Sequence, residues 1–141
     1  MQLIEIDYSE ISAGRGLDEL DRACREWGFF ELKNHPFSLE LRTNMLAAME
    51  NFFDLPSGQK RRCERTAENH WGYYDRELTK NVQDWKELFD VGPEFGQCVP
   101  QWPEDLPHFR QITEMHYGRC ESVAIQLVRC LGAALGDDGD L

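Results

Sequence analysis

The sequence lacks a long apolar run. Its most apolar stretch, residues 123–135, is shorter than the roughly 20 residues of a membrane-spanning helix, and it contains Gln126 and Arg129. The first residues include Glu5 and Asp7, and they lack the basic and apolar regions of a secretion signal. We therefore expect a protein with no membrane segment.

Positive charge is scarce. The chain has 15 Lys and Arg residues against 26 Asp and Glu residues, which gives a net charge of −11. A nucleic-acid backbone and an anionic membrane surface are both repelled by such a field. The composition therefore excludes nucleic acid and membranes as expected partners.

The cysteines follow no disulfide or zinc pattern. There are five of them, an odd number, and no two have the C-x-x-C spacing. Without a secretion signal, such cysteines are typical of reduced thiols. We predict a cytoplasmic protein.

Motifs of a catalytic centre are also missing. An iron site with two histidines and one carboxylate usually contains a histidine followed two residues later by an acid, because alternate strand residues share a face. The residues two places after the four histidines are Phe37, Gly72, Arg110 and Gly118. Neither a G-x-S-x-G nucleophile motif nor a phosphate-binding loop occurs. We predict no catalytic residue and no metal ligand in this chain.

The pattern of apolar residues predicts an α+β fold and a single domain, residues 1–141. Strands are predicted at 3–7, 29–34, 71–74 and 84–91, and helices at 17–27, 38–55, 57–65 and 107–135. A turn is predicted after the first strand, up to Gly16, and a proline-rich loop at 93–107.

Large aromatic side chains are expected to supply most of the core, because they bury the most area. The predicted core aromatics are Trp27, Phe29, Phe30, Phe52, Phe53 and Trp85. The basic run Lys60-Arg61-Arg62 is predicted to form a solvated helix face.

Six blocks of the sequence resemble one protein family, and they follow the family's order. Glu26–Phe30 with Leu32, Asn34 and His35 resembles W-G-F-F-x-L-x-N-H-G, although Pro36 replaces the last glycine. The other five blocks are Phe52–Pro56 with Lys60, Gly72-Tyr73, Asp84–Asp90, the set Trp102-Pro103, Phe109-Arg110 and Tyr117, and Leu131–Gly136. These blocks resemble the N-terminal region of the isopenicillin N synthase-like, Fe(II)- and 2-oxoglutarate-dependent oxygenases.

The resemblance implies a scaffold that precedes a catalytic double-stranded β-helix, or jelly roll. In that family the iron ligands H-x-D and a later His, and the 2-oxoglutarate-binding R-x-S, belong to the jelly roll, and this chain contains none of these motifs. We therefore expect Fe(II) and 2-oxoglutarate in the parent enzyme, neither bound to this chain alone, and no turnover by residues 1–141. The implied partners are the protein's own C-terminal jelly roll and a small organic substrate, which Tyr73, Tyr74 and Arg76 are expected to contact.

A second hypothesis is a stand-alone, non-catalytic remnant that binds a partner through an apolar stripe on the last helix. The stripe runs from Ile112 through Val123 and Leu127 to Leu131 and is expected to be partly uncovered without the jelly roll. It includes His116 and Cys120, which lie four residues apart and could reach one ion, although we interpret both as core residues. The substrate, the oligomeric state and the dependence on 2-oxoglutarate stay open at this point.

Overall fold

The structure is a computed structural model that describes residues 3–137; residues 1, 2 and 138–141 of the predicted domain lie outside the described part. The elements are β1 (Glu5–Asp7), α1 (Tyr8–Ser12), α2 (Leu17–Glu26), β2 (Glu31–Lys33), α3 (Leu39–Phe53), α4 (Ser57–Lys60), β3 (Gly72–Tyr74), β4 (Leu78–Thr79), β5 (Val82–Gln83), β6 (Leu88–Asp90) and α5 (Pro107–Ala134). A 3-10 turn, Arg61–Cys63, follows α4. The predicted combination of helices and short strands is confirmed.

Two compact units make up the described chain, and residues 3–38 with 118–137 form unit 1. Here β1 and β2 pair in parallel, with Ile6 opposite Leu32, and α2 provides the crossover that parallel strands require. The apolar stripe of α2 buries Leu20 and Ala23 against Ile6, and Cys130 of α5 belongs to the same core.

A short helix, α1, replaces most of the predicted turn after β1. Asp7 is its N-cap, and its Oδ1 accepts hydrogen bonds from the backbone N–H groups of Ser9 and Glu10. An N-cap carboxylate satisfies amide donors that have no partner within the helix. The prediction of a turn over this segment was therefore wrong for Tyr8–Ser12.

Residues 39–117 form unit 2, which has an aromatic core. Its strands β3 and β6 pair antiparallel, with Tyr73 opposite Phe89. At the centre Phe52 stacks on Phe109, with ring centroids 5.0 Å apart, and meets Phe89 edge-on at 4.9 Å. Such ring pairs add to the stabilisation that burial already provides.

The predicted strand 84–91 is shorter in the structure, where β6 covers only Leu88–Asp90 and a hairpin precedes residue 84. Strands β4 and β5 pair antiparallel around Lys80 and Asn81, whose φ angles are 53° and 63°. Two consecutive positive φ angles are typical of the tight turns that close two-residue hairpins. Asp84 then caps the hairpin by accepting a hydrogen bond from the Thr79 hydroxyl at 3.0 Å.

The predictions of burial were partly wrong. Among the expected core aromatics, Phe52 is fully buried and Trp27, Phe30 and Phe53 are half-buried. Phe29 is 52% exposed and Trp85 is 100% exposed. Trp85 lies in the connection between β5 and β6, where no strand partner fixes which side chains face the core. Lys60, which was expected to be solvated, is only 5% exposed.

The long helix α5 is confirmed, and the C-terminal part of its stripe is covered further than expected, whereas Cys120, which we interpreted as a core residue, is exposed. Val123 is buried, and Leu127 and Leu131 pack on the core of unit 1. Three apolar side chains of α5 that are about half exposed, Met115, Ile125 and Val128, lie at other helical positions. Across residues 3–137, no helix combines the length and apolar character that crossing a membrane requires.

Candidate functional site

A buried lysine organises the polar part of unit 2. The Nζ of Lys60 donates hydrogen bonds to Oε2 of Glu87 at 2.6 Å and to the carbonyl oxygen of Phe53 at 2.9 Å. The hydroxyl of Tyr73 donates to the other oxygen of Glu87, Oε1, at 2.9 Å. These contacts connect the end of α3, the end of α4, β3 and the residue before β6.

The local sequence explains why Lys60 points inward. Helix α3 ends at Phe53, so its last carbonyl groups have no partner within the helix. Pro56 precedes α4, which is only one turn long, and the turn brings Lys60 back to the Phe53 carbonyl. A cation is favoured at a helix C-terminus, where the carbonyl dipoles accumulate.

The three predicted substrate-contact residues are close in sequence but differ in environment. Tyr73 is fully buried, and this burial raises the pKa of its hydroxyl. Tyr74 points to the opposite face of β3, because successive strand residues alternate, and it is half-buried. Arg76 is exposed and forms an ion pair with Glu64.

Tyr74 is flanked by arginines whose charges are compensated. The guanidinium carbon of Arg65 lies 3.7 Å from the centre of the Tyr74 ring, and that of Arg76 lies 5.6 Å away. Arg65 is paired with Asp90, with a 2.7 Å contact from Nη1 to Oδ2. The surface therefore offers an aromatic edge and guanidinium donors without a net positive charge.

An apolar groove of about 290 Å³ lies in unit 2 between α3, the β6 segment and α5. Its lining residues are Met45, Met49, Phe53, Glu87, Leu88, Phe89, Val91, Phe109 and Thr113. Only two of these side chains are polar: Glu87, which already accepts from Lys60 and Tyr73, and Thr113. Thr113 is 3% exposed, and its Oγ1 has no hydrogen-bond partner among the described residues.

A second cleft of similar volume lies beside the loop that precedes α5. Trp102, Arg110, Glu114 and Tyr117 contribute to its lining. Arg110 donates from Nε to Glu114 at 2.8 Å, and its guanidinium lies 5.7 Å from the centre of the Trp102 ring. The one basic side chain that lines this cleft is thus already paired with an acid of the same helix.

An iron site needs three protein ligands that converge on one point. In the described part of the chain, no three His, Cys, Asp or Glu side chains are placed to hold a metal ion. His116 and Cys120 belong to no such group. The residues at hand do not fit the Fe(II) site that the resemblance implies for the parent enzyme.

Three residues of the site, Lys60, Glu87 and Thr113, were not predicted from the sequence. Glu87 and Lys60 belong to two of the blocks that resemble the family. Their place in these blocks was the available signal for a role inside the fold. Thr113 had no such signal, since a threonine on a helix is usually exposed.

Comparison with known proteins identifies the family. Residues 4–109 match the family model described as the non-haem dioxygenase in morphine synthesis N-terminal region. The chain is 35% identical to the 2-oxoglutarate-dependent dioxygenase caaD of Aspergillus niger over 81% of its length and 40% of the relative's. It is 29% identical to the proline hydroxylase buaE of Petromyces alliaceus over 96% of its length and 48% of the relative's.

The fold has a counterpart among solved structures. A full-length Neurospora crassa protein, solved in complex with alpha-KG, superposes with a TM-score of 0.81 at 24% identity, covering 96% of this chain and 48% of the Neurospora chain. The chain spans about a third to a half of the length of the curated relatives it matches. Together with the family match, these findings mean that the chain belongs to the non-haem dioxygenase N-terminal family, the N-terminal region of the 2-oxoglutarate- and Fe(II)-dependent oxygenases.

Proposed function

We propose that the chain is the N-terminal scaffold of an Fe(II)- and 2-oxoglutarate-dependent oxygenase that acts on a small organic substrate. Relatives of known function are two to three times as long as the chain's match to them. The iron and the co-substrate would be held by the remaining part of the protein, its jelly roll. The role of residues 3–137 is then to support that part and to border its active site.

The observation that carries this proposal is the open apolar groove of unit 2. Its walls, including Met49, Leu88 and Phe89, continue directly from the aromatic core around Phe52. Covering roughly 100 Å² of apolar surface stabilises a protein by about 2–3 kcal/mol, which is a sizeable fraction of the stability of a domain. A surface of this kind is typical of a contact that forms once the rest of the protein is present.

Within this scaffold, Tyr74 and Arg76 are the residues we assign to substrate contact. Both are accessible in part, and both offer polar groups beside an aromatic ring. Tyr73 was predicted with them, but its side chain is fully buried and its hydroxyl is engaged by Glu87. We therefore give Tyr73 a packing role in this proposal. In the longer protein, Arg76→Ala is expected to raise KM for the substrate more than it lowers kcat.

Two measurements test the proposal. The first is the coding sequence after Leu141, which should continue into H-x-D, a distal His and R-x-S. The second is release of CO2 from 2-oxoglutarate in the presence of Fe(II), measured with residues 1–141 and with the longer protein. We expect release only from the longer protein. Turnover by residues 1–141, or a stop codon directly after Leu141, would refute the scaffold role.

The alternative, an interaction module that binds through the Ile112–Leu131 stripe, is less well supported. Leu127 and Leu131 are already packed on the core of unit 1, and Val123 is buried. A partner could reach this stripe only by displacing that core.

All five cysteines are free thiols, which fits the cytoplasmic location that we include in the proposal.

A further inference from the structure

The second cleft of unit 2, beside the loop that precedes α5, has the dimensions of a ligand site. Its volume is about 290 Å³, which is close to the lower end of the range for small-molecule pockets. One wall comes from residues 91–102, and the other is the face of α5 that carries Arg110, Glu114 and Tyr117. Residues three and four apart on a helix lie side by side, so these three side chains form a continuous wall.

The loop wall is held in place by side chains behind it. The Nε1 of Trp71 donates a hydrogen bond to the carbonyl oxygen of Pro93 at 3.0 Å, and the Nδ2 of Asn69 donates to that of Val99 at 2.8 Å. The Trp71 ring also lies against Gly92, where an added Cβ would meet it at 2.5 Å. The cleft is therefore formed before a ligand arrives, and a pre-formed site loses less conformational entropy on binding.

The lining carries more negative than positive charge. Its one basic side chain, Arg110, donates a hydrogen bond to Glu114 at 2.8 Å. Its second acid, Glu94, is exposed and forms no hydrogen bond or ion pair with another of residues 3–137. Together with the charge of −11 on the whole chain, this lining repels anions. The repulsion applies to 2-oxoglutarate, which carries two carboxylates.

Aromatic rings complete the cleft. Trp102 and Tyr117 both line it, and both are half-buried. Aromatic faces attract organic cations, and the guanidinium carbon of Arg110 already lies 5.7 Å from the centre of the Trp102 ring. The hydroxyl oxygen of Tyr117 can accept a hydrogen bond from an N–H group. The cleft thus combines an unpaired carboxylate with aromatic surface, which is the chemistry that recognises an amine with an apolar body.

We propose that this cleft binds a small organic cation, whose ammonium group pairs with the Glu94 carboxylate and whose apolar part lies against Trp102 and Tyr117. The inference goes beyond the proposed function and does not rest on it, because all the residues that line the cleft lie between positions 91 and 117 of this chain. The positive charge of the ligand distinguishes it from 2-oxoglutarate.

Titration calorimetry of the full-length protein at neutral pH tests the charge of the ligand. The probes are benzylamine, benzyl alcohol and benzoate, which have similar sizes and are cationic, neutral and anionic, respectively. We expect benzylamine to bind roughly tenfold more tightly than benzyl alcohol and benzoate not to bind. Undetectable binding of benzylamine, or equal affinities for benzylamine and benzyl alcohol, would overturn the proposal.

Glu94→Gln tests the assigned carboxylate. The substitution keeps the size of the side chain and removes its charge, and Glu94 is exposed, so the fold should be unchanged. The affinity for benzylamine should fall about fivefold. Glu104→Gln is the matched control, since Glu104 is an exposed acid of the same connection that does not line the cleft. If the two substitutions have equal effects on the affinity, Glu94 does not hold the cation.

The indole N–H resonances locate the bound probe without any substitution. In protein with isotope-labelled tryptophan, benzylamine should shift the resonance of Trp102. Those of Trp27 and Trp85, which do not line the cleft, should stay in place. A shift of Trp27 or Trp85 without one of Trp102 would overturn the assignment to this cleft. All three measurements are independent of whether the coding sequence continues past Leu141, so the proposed function and this inference can fail separately.

Discussion

The ammonium group of Lys60 lies 2.6 Å from the carboxylate of Glu87, 27 residues later in the chain. The Lys60 side chain is 6% exposed and that of Glu87 is 35% exposed. A buried lysine is stable in its charged form only when other groups replace its hydration. Here the hydration of Lys60 is replaced by Glu87, by the Phe53 carbonyl and by the face of the Tyr73 ring, whose centre lies 5.5 Å from Nζ.

Lys60→Met is therefore expected to destabilise the chain by about 2 kcal/mol, measured by urea denaturation. Removal of one partner of a fully buried pair costs more, but Glu87 is one-third exposed and can be partly rehydrated. The matched control is Arg22→Met, which breaks an ion pair whose side chains are both more than half exposed and should cost less than about 0.5 kcal/mol. Equal effects of the two substitutions would contradict a special role for Lys60.

Gly72→Ala should destabilise the chain by about 3 kcal/mol or more. Gly72 has a φ of 124°, and an added Cβ would lie 2.2 Å from the carbonyl oxygen of Cys63, which is backbone and cannot move aside easily. Gly118→Ala is the control, since no atom lies within 4 Å of its added Cβ. That substitution should stabilise α5 by about 0.5–1 kcal/mol. Thermal unfolding should show a lower Tm for Gly72→Ala and a higher Tm for Gly118→Ala than for the parent chain.

Asp75 should contribute to acid sensitivity. A hydrogen bond from Arg61 holds the pKa of the Asp75 carboxyl below its ordinary value, and the Asp75 side chain is 14% exposed. Because the folded-state pKa is lowered, this stabilisation is present above the ordinary value, about pH 4, and is lost as the pH falls through the folded-state pKa. Asp75→Asn should lower stability at pH 7 by about 1 kcal/mol.

The pH profile of Asp75→Asn should also be flatter than that of the parent chain between pH 5 and pH 3. Asp105→Asn serves for comparison, since its ion pair with Arg62 is largely exposed. If Asp75→Asn and the parent lose the same stability over this range, the assigned linkage is wrong.

Trp85→Ser should leave the stability of residues 1–141 within about 0.5 kcal/mol of the parent, because Trp85 is fully exposed. Phe52→Ala removes the centre of the aromatic core and should cost about 3–5 kcal/mol. Urea unfolding measures both changes in the free energy of unfolding. A large loss for Trp85→Ser would restore the prediction from the sequence that this residue is part of the core.

The contrast between Lys60 and Trp85 illustrates what sequence patterns capture. Helical spacing located α2 and α5 correctly, because a stripe of apolar residues reflects burial averaged over many positions. The type of a residue did not predict the burial of single side chains correctly. The burial of Lys60 depends on a carbonyl group and a carboxylate that distant segments supply, and the exposure of Trp85 depends on the hairpin before it.

Neither the hairpin nor the groove could be predicted from the sequence, and the reasons differ. Lys80-Asn81 is not one of the glycine-containing pairs that usually mark a tight turn. The groove arises where α3, β6 and α5 meet, so no local pattern specifies it. The family blocks, by contrast, were specific enough to identify the N-terminal region, because their order along the chain carries information that no single block has.

Unit 1 has a consequence for the order of folding during synthesis. Its core combines Ile11 with Cys130, whose thiol contacts the Ile11 carbonyl oxygen at 3.3 Å across 119 residues of sequence. Unit 2 is continuous from residue 39 to 117, so all of it is synthesised before Cys130. At about 5–20 residues per second, β1 waits on the order of ten seconds for its helical partner. During that interval the core of unit 1 lacks the side chains that α5 contributes, and only α1, α2 and β2 can cover the apolar side of the first strand.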